Sequence, residues 1–292
     1  MKNVRIKMKL KDQLRTDRPM LSFEVFPPKT DARLESVGQA VREIAALSPA
    51  YMSVTYGAGG GTSQYTTTIA KKIAGLGVTP LAHLTCVSSD RRVVRARLAE
   101  LKAAGIENIL ALRGDLPADY VPGEYRYATQ LIADIRAAGD FCIGAACYPE
   151  GHPENARQKD DIRHLKEKVD AGCDFLTTQM FFDNALFYNF MYKIREAGIH
   201  VPVVAGIMPV TNAAQIARMV DLSGAFMPQP FLAMVDHFRD DPASIYEAGI
   251  AYATQQIVDL FANGINHVHV YSMNKPDVAR DIQNNLKAIL GK

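Results

Sequence analysis

The stretch Thr79-Pro80-Leu81-Ala82-His83-Leu84-Thr85-Cys86 is followed by a helical run over Asp90–Ala104 that stops at Gly105, and then by Asn108-Ile109-Leu110-Ala111-Leu112-Arg113. The flanking segments are nearly unbroken apolar runs, the pattern of strands covered on both faces in a parallel sheet. The segment between them has helical periodicity, and its glycine suits the left-handed residue that caps a helix. This is one strand–helix–strand unit, and the rest of the chain repeats it.

Outward from that unit, strands are predicted at Leu21–Phe26, Ala50–Thr55, Phe141–Cys147, Asp174–Gln179, Pro202–Ile207 and Asn266–Tyr271. Helices are predicted at Asp31–Leu47, Thr62–Leu76, Tyr125–Ala138, Glu154–Ala171, Asn184–Ala197, Asn212–Asp221 and Pro276–Leu290, with Gly77, Gly139, Gly172 and Gly198 as further stops. Eight such units make an α/β protein with a (β/α)8 barrel, a TIM barrel. Helical patterning at Pro230–Phe238 and Ile245–Phe261 predicts extra helices inserted before the last strand. The main competitor, a doubly wound dinucleotide-binding sheet, needs three spaced glycines after an early strand. Here Gly57, Gly59 and Thr62 stand at those positions, so the fingerprint fails. Without an internal repeat, a low-complexity linker or a composition break, residues 1–292 read as a single domain.

Composition narrows the function. The chain has 292 residues, 48% of them apolar and 22% charged, with a formal net charge of +2. That core excludes global disorder, and the balanced charge argues against a nucleic-acid or membrane-surface protein. No apolar run reaches the roughly 18 residues of a membrane span, and the N-terminus lacks the features of a secretory signal. Cys86, Cys142, Cys147 and Cys173 form no C-x-x-C pair. They read as buried free thiols of a reducing cytoplasm.

In a (β/α)8 barrel the loops after the strands carry the chemistry. Sorted by that rule, Glu24 belongs to strand one, Thr55 and Tyr56 to the end of strand two, and His83 to strand three. Arg113, Gly114 and Asp115 follow strand four, Tyr148 and His152 follow strand five, Gln179 ends strand six, and Asn274 and Lys275 follow strand eight. Nearly every strand sends a polar group to one rim. Glu24 alternates with Phe23 and Val25 and so faces the barrel lumen, where desolvation raises a carboxyl pKa and suits it to donate a proton near neutral pH. A structural ion pair with a buried arginine is the competing reading. Arg113-Gly114-Asp115 suits a cofactor, because glycine permits close backbone approach and its neighbours carry charge. Asp161, His164 and Lys168 share one helix face, solvated or cofactor-facing. His267 and His269 read as core or interface histidines rather than metal ligands.

Several stretches taken together resemble the methylenetetrahydrofolate reductase family, in its bacterial, catalytic-domain form. They are Phe23-Glu24-Val25-Phe26-Pro27-Pro28-Lys29, Val54-Thr55-Tyr56-Gly57-Ala58-Gly59-Gly60, His83-Leu84-Thr85-Cys86, Ala111-Leu112-Arg113-Gly114-Asp115 and Tyr148-Pro149-Glu150-Gly151-His152-Pro153. Lys168-Val169-Asp170-Ala171-Gly172, Thr178-Gln179-Met180-Phe181-Phe182-Asp183 and Gly206-Ile207-Met208-Pro209-Val210 complete the set. The resemblance implies a cytoplasmic flavoprotein oxidoreductase of one-carbon metabolism and methionine biosynthesis. In it NADH or NADPH reduces bound FAD, which then reduces 5,10-methylenetetrahydrofolate to 5-methyltetrahydrofolate by ping-pong hydride transfer. It implies a homo-oligomer, no metal, no nucleic-acid partner and no membrane.

By the same resemblance, Glu24 is the general acid that opens the folate ring, and Asp115 sits beside flavin and folate. Gln179, Gln215, Met219 and Lys275 fall at folate-binding positions. FAD contacts carry over to Tyr56, Ala58, His83, Arg113, Gly114, Asp115, Ala128, Tyr148, His152, Asp161, His164 and Lys168, and Thr55 to the nicotinamide. His164 and Glu167 depart from the family pattern near the FAD phosphates or adenosine, Met219 replaces an aromatic residue, and Lys275 replaces an arginine. A non-catalytic flavin- or folate-binding paralogue of the same barrel is the alternative.

Overall fold

A computed structural model describes residues 9–56, 63–87, 89–116, 123–155 and 158–292. Eight parallel strands close into a barrel in chain order. They are β1 (Met20–Val25), β2 (Tyr51–Val54), β3 (Thr79–Thr85), β4 (Asn108–Leu112), β5 (Cys142–Cys147), β6 (Phe175–Thr178), β7 (Val203–Ile207) and β8 (His267–Val270). The chain enters through a short helix, α1 (Leu10–Gln13). The outer layer follows as α2 (Leu34–Ala46), α3 (Ser63–Gly75), α4 (Arg91–Ala103), α5 (Ala128–Ala138), α6 (Gln158–Asp170), α7 (Asn184–Glu196), α8 (Ala213–Ser223) and α11 (Pro276–Asn285). The extra helices expected before the last strand are α9 (Gln229–Phe238) and α10 (Pro242–Ala262).

The opening unit shows why these residues fold this way. The Asp90 side chain accepts a hydrogen bond from the Val93 backbone N–H at 2.7 Å and so caps α4, satisfying a donor that the first turn leaves free. Val94, Leu98 and Leu101 then bury one face of the helix, at the spacing that keeps side chains on one side. Gly105 ends the run at φ 69°, a conformation glycine adopts without a Cβ clash. Of the other predicted stops, Gly139 is nearly extended at φ 157°.

Three helices start three or more residues later than the sequence pattern suggests, among them α2, which begins at Leu34 after a 3-10 turn over Asp31–Arg33. α5 begins at Ala128 because Tyr125 is drawn inward, its hydroxyl donating to Asp134 at 2.6 Å. α6 begins at Gln158 because residues 151–155 form turns, with Asn155 N–H donating to the His152 carbonyl.

The amino-terminal mouth of the barrel is closed by α1, which the sequence reading did not foresee. Leu10 and Leu14 are buried against Tyr51, Leu81, Leu110, Cys142, Phe175 and Val204, one residue from each of six strands. Leu10 N–H donates to Asn108 Oδ1 at 2.9 Å, and Asn108 Nδ2 reaches the Pro80 carbonyl at 3.2 Å. His267 Nε2 meets the Leu14 carbonyl at 2.9 Å. With this end sealed, the carboxyl ends of the strands form the open end.

Candidate active site

Register decides which side chains meet in the lumen. Glu24 lies opposite Ser53, and Ser22 opposite His269. One pleat separates Ser22 from Glu24, so Glu24 stands one layer above a polar floor. That floor is hydrogen-bonded: His269 Nδ1 meets Ser22 Oγ at 2.7 Å and its Nε2 meets Ser53 Oγ at 2.9 Å. Tyr51 stacks on the same ring at 5.3 Å between centroids. His269 is therefore a core histidine with both nitrogens satisfied. Burial lowers its pKa to about 3, which keeps a positive charge out from under Glu24.

Glu24 has no arginine partner among the described residues, so the structural ion-pair reading fails. Its nearest titratable neighbour is His83, with Nε2 3.7 Å from Oε2. That separation is too long for a hydrogen bond. Burial raises the Glu24 carboxyl to about 8 and lowers the His83 imidazole to about 3. Both are uncharged at neutral pH, so the contact joins two neutral groups, not two ions. The raised pKa favours the protonated form of Glu24 near neutral pH, and His83 Nε2 is buried with no hydrogen-bond partner.

The rim above is built loop by loop. Thr55 N–H donates to the Val25 carbonyl at 3.1 Å, while its hydroxyl is buried and unpartnered. Tyr56 is buried beside it. Arg113 holds the β3–β4 edge through its carbonyl, which accepts N–H bonds from Cys86 and Val87. Its side chain forms a two-pronged pair with Glu154, both prongs at 2.7 Å. Gly114 sits at φ 92°, and a Cβ there would lie 2.9 Å from Val87, so only glycine fits this turn. Asp115 is exposed at the rim, with its charge felt by Tyr148 and Arg113. Tyr148 meets the His152 ring edge-on at 4.6 Å.

Helix α6 underpins the loop after β5. Asp161 accepts the His152 N–H at 2.8 Å and also binds the Asn155 amide. Lys168 Nζ donates to the Ala146 carbonyl at 2.9 Å, and burial lowers its pKa. His164 faces Tyr127, with ring centroids 6.3 Å apart, and Ala128 is buried at the start of α5. Thus Asp161 and Lys168 meet the loop after β5 and β5 itself, while His164 lies against the exposed Tyr127 ring. Glu167 points outward to Arg163 at 3.5 Å.

Across the mouth, Gln179 bends back so that its Oε1 accepts the Met180 N–H at 2.9 Å. Lys275 Nζ donates to Thr211 Oγ1 at 2.8 Å. Met208, Met219, Tyr271 and Met273 line the adjoining cleft with Lys275. Met273 and Asn274 both hold positive φ, at 54° and 56°. Asn274 stabilises that strained turn by exchanging two side-chain bonds with the Phe26 backbone, at 2.8 and 3.0 Å. Ala58 and the side chain of Gln215 lie outside the described residues.

The carboxyl-terminal end of the barrel therefore carries Glu24, Thr55, Tyr56, His83, Arg113, Gly114, Asp115, Tyr148, His152, Asp161, Lys168 and Gln179 on or after β1 to β6, with Met219 and Lys275 in the cleft beside β7 and β8. Sequence reasoning missed Glu154, Tyr127 and the Ser22–His269–Ser53 floor. The signals were there: Glu154 two residues after His152, Tyr127 just before Ala128, and Ser22 two before Glu24. The arrangement can do two things. It offers cations and close backbone approach to an anionic cofactor, and it presents a neutral carboxylic acid to a substrate.

The family model for methylenetetrahydrofolate reductase matches residues 9–287. The 5,10-methylenetetrahydrofolate reductase of Pectobacterium carotovorum is 34% identical over 262 residues, covering 89% of this chain and 87% of that protein. That of Escherichia coli is 34% identical over 265 residues, with 89% and 88% covered. The maize protein named methylenetetrahydrofolate reductase (NADH) 1 is 35% identical over 289 residues, covering 93% of this chain but 49% of its own length. The chain thus spans about half the length of the plant and yeast relatives it matches. Among solved structures, a Clostridium thermocellum protein described as binding two copies of 5-methyl-5,6,7,8-tetrahydrofolic acid superposes with a TM-score of 0.72 at 14% identity, covering 97% of this chain and 100% of that one. That likeness shows the fold.

Proposed function

The chain belongs to the methylenetetrahydrofolate reductase family, an oxidoreductase family, and on that premise we propose that it reduces 5,10-methylenetetrahydrofolate to 5-methyltetrahydrofolate with FAD as the carrier and NADH or NADPH as the donor. One observation carries the reading: the Glu24 carboxyl is buried near the end of β1 with no arginine or lysine partner among the described residues, and burial raises its pKa to about 8. A structural carboxylate would be paired. A general acid must hold its proton at the working pH and have no competing partner.

The residues present fit a flavin dinucleotide. The Thr55 hydroxyl and His83 Nε2 are buried polar atoms without partners, a costly state that a ligand would relieve. Arg113 and Lys168 supply positive charge, and Gly114 lets a planar ring approach the backbone. FAD, when bound, would take a hydride from the nicotinamide and pass it to the folate carbon. Tyr56, His83, Gly114, Ala128, Tyr148, His152, Asp161 and His164 would hold it.

The remaining chemistry falls to the protein. Glu24 protonates a ring nitrogen of the folate and opens its five-membered ring, giving a cationic iminium that accepts the hydride. Asp115, exposed at the rim, places a negative charge near that cation. Gln179, Gln215, Met219 and Lys275 orient the folate, with the methionines offering a soft apolar wall. Thr55 orients the nicotinamide. The surrounding lumen excludes water, which keeps the acid protonated. We further propose a single domain and a cytoplasmic homo-oligomer; no helix among the described residues is long and apolar enough to cross a membrane. The test is the visible absorption spectrum of the purified protein, followed by bleaching with NADH or NADPH and recolouring with 5,10-methylenetetrahydrofolate. A protein that binds no flavin when supplied with FAD contradicts the reading.

A further inference from the structure

The Arg113 guanidinium is a rim cation that grips an anion with two parallel bonds. In this structure both are taken by the protein itself, with Glu154 Oε1 and Oε2 each 2.7 Å from a guanidinium nitrogen. Carboxylate and phosphate satisfy that fork in the same planar geometry. The partners differ in exposure: the arginine side chain is 22% exposed, while that of Glu154 is 51% exposed. Arg113 is fixed in the wall, with its backbone bonded to Cys86 and Val87. Glu154 lies on the loop between β5 and α6, on the outer side of the pair.

Charge at the site points the same way. The cations are Arg113 and Lys168, since burial lowers the His152 pKa. The carboxylates are Asp115, Glu154 and Asp161, the last bonded to the His152 N–H and the Asn155 amide. A diphosphate entering with Glu154 in place would meet more carboxylates than cations. With Glu154 withdrawn, a diphosphate meets Arg113 and Lys168 with one carboxylate fewer, and Asp161 is bonded to the His152 N–H and the Asn155 amide. Resting on the FAD reading above, we propose that Glu154 is an internal counter-anion of the cofactor site: it occupies Arg113 in the free protein and releases that fork to the diphosphate of the incoming dinucleotide. Arg113 holds the Glu154 carboxyl below its ordinary pKa, so lowering the pH within the neutral range does not free the fork. Another anion does. A half-exposed pair is weakly held, which makes the exchange feasible.

The experiment titrates apoprotein with FAD, following flavin fluorescence, for wild type, Glu154→Gln and Glu154→Ala, with riboflavin as a phosphate-free probe. Both variants are expected to bind FAD about two- to fivefold more tightly, the range for removing a competing half-exposed pair. Riboflavin affinity is expected to stay unchanged. FAD affinity that is equal or weaker in both variants overturns the proposal and makes Glu154 a brace for Arg113. An equal gain for riboflavin overturns the assignment to the diphosphate. Wild-type protein that binds no FAD removes the cofactor reading itself, and this inference with it.

Discussion

The two mouths of the barrel are made by the same eight strands, yet they are opposite in chemistry. At the amino-terminal mouth, Leu10 and Leu14 fill a ring of Tyr51, Leu81, Leu110, Cys142, Phe175 and Val204. Backbone groups there find partners such as Asn108. At the carboxyl-terminal mouth, Glu24 stands unpaired, His83 Nε2 and the Thr55 hydroxyl lack partners, and Met273 and Asn274 hold left-handed backbones. One end is optimised for packing. Unpartnered polar atoms and left-handed backbone also occur at the closed end, at the Tyr51 hydroxyl, His267 Nδ1 and Ser48, so what sets the open end apart is the buried carboxyl of Glu24 among polar side chains. Stability and chemistry are thus separated along the barrel axis, and substitutions at the two ends should have different consequences.

The largest stability effect is expected at the closed end. Leu10 is fully buried, so Leu10→Ala loses transfer energy and leaves a cavity, costing about 2–5 kcal/mol. Denaturant unfolding measures this. Flavin reduction by the folded fraction should change little, and a comparable loss of turnover would break the separation.

At the open end, Asp115→Asn should reverse that pattern. Asp115 is exposed, so the unfolding midpoint should hardly move. Removing its charge makes the flavin easier to reduce and slows folate reduction by on the order of tenfold, as expected for a charge lost near a developing cation. Potentiometry and single-turnover kinetics check the two halves. An unchanged flavin potential would move Asp115 away from the ring.

A titration sharpens the comparison through pH. The Glu24 carboxyl titrates near 8 in the folded chain against an ordinary value of 4.5. Folding therefore retains a proton that the unfolded chain releases. That contribution is full below 4.5 and lost as pH rises through about 8. Glu24→Gln does not titrate, so its stability relative to wild type should grow between about pH 5 and pH 8.5. Thermal melts across that window measure it. A constant difference would mean that Glu24 is solvated.

Most of the barrel was legible because continuous apolar strands and glycine-ended helices are local signals. β3, α4 and β4 fall within a residue of their predicted bounds. What was not legible depends on contacts between distant segments. Nothing local marks Leu10 and Leu14 as a plug, because their partners come from six strands far along the chain. α6 begins late because of the turns after His152, a feature that helical periodicity cannot see. At the site, the lumen position of Glu24 followed from alternation with Phe23 and Val25. Its lack of a charged partner did not, since that depends on which residue β3 brings alongside. Glu154 was overlooked for the same reason: its role appears only when the loop after β5 meets the one after β4.

The central claim is that the open mouth works through a neutral acid at Glu24, and stopped-flow absorbance of the separate half-reactions of Glu24→Gln tests it most directly. Hydride transfer into the flavin needs orientation but no proton from Glu24, so bleaching by NADH or NADPH should stay near the wild-type rate. Folate-dependent reoxidation needs the ring-opening proton, which an amide cannot donate, and should slow by about 10²-fold or more. If both half-reactions slow equally, Glu24 holds the barrel or the flavin in place, and the claim is contradicted.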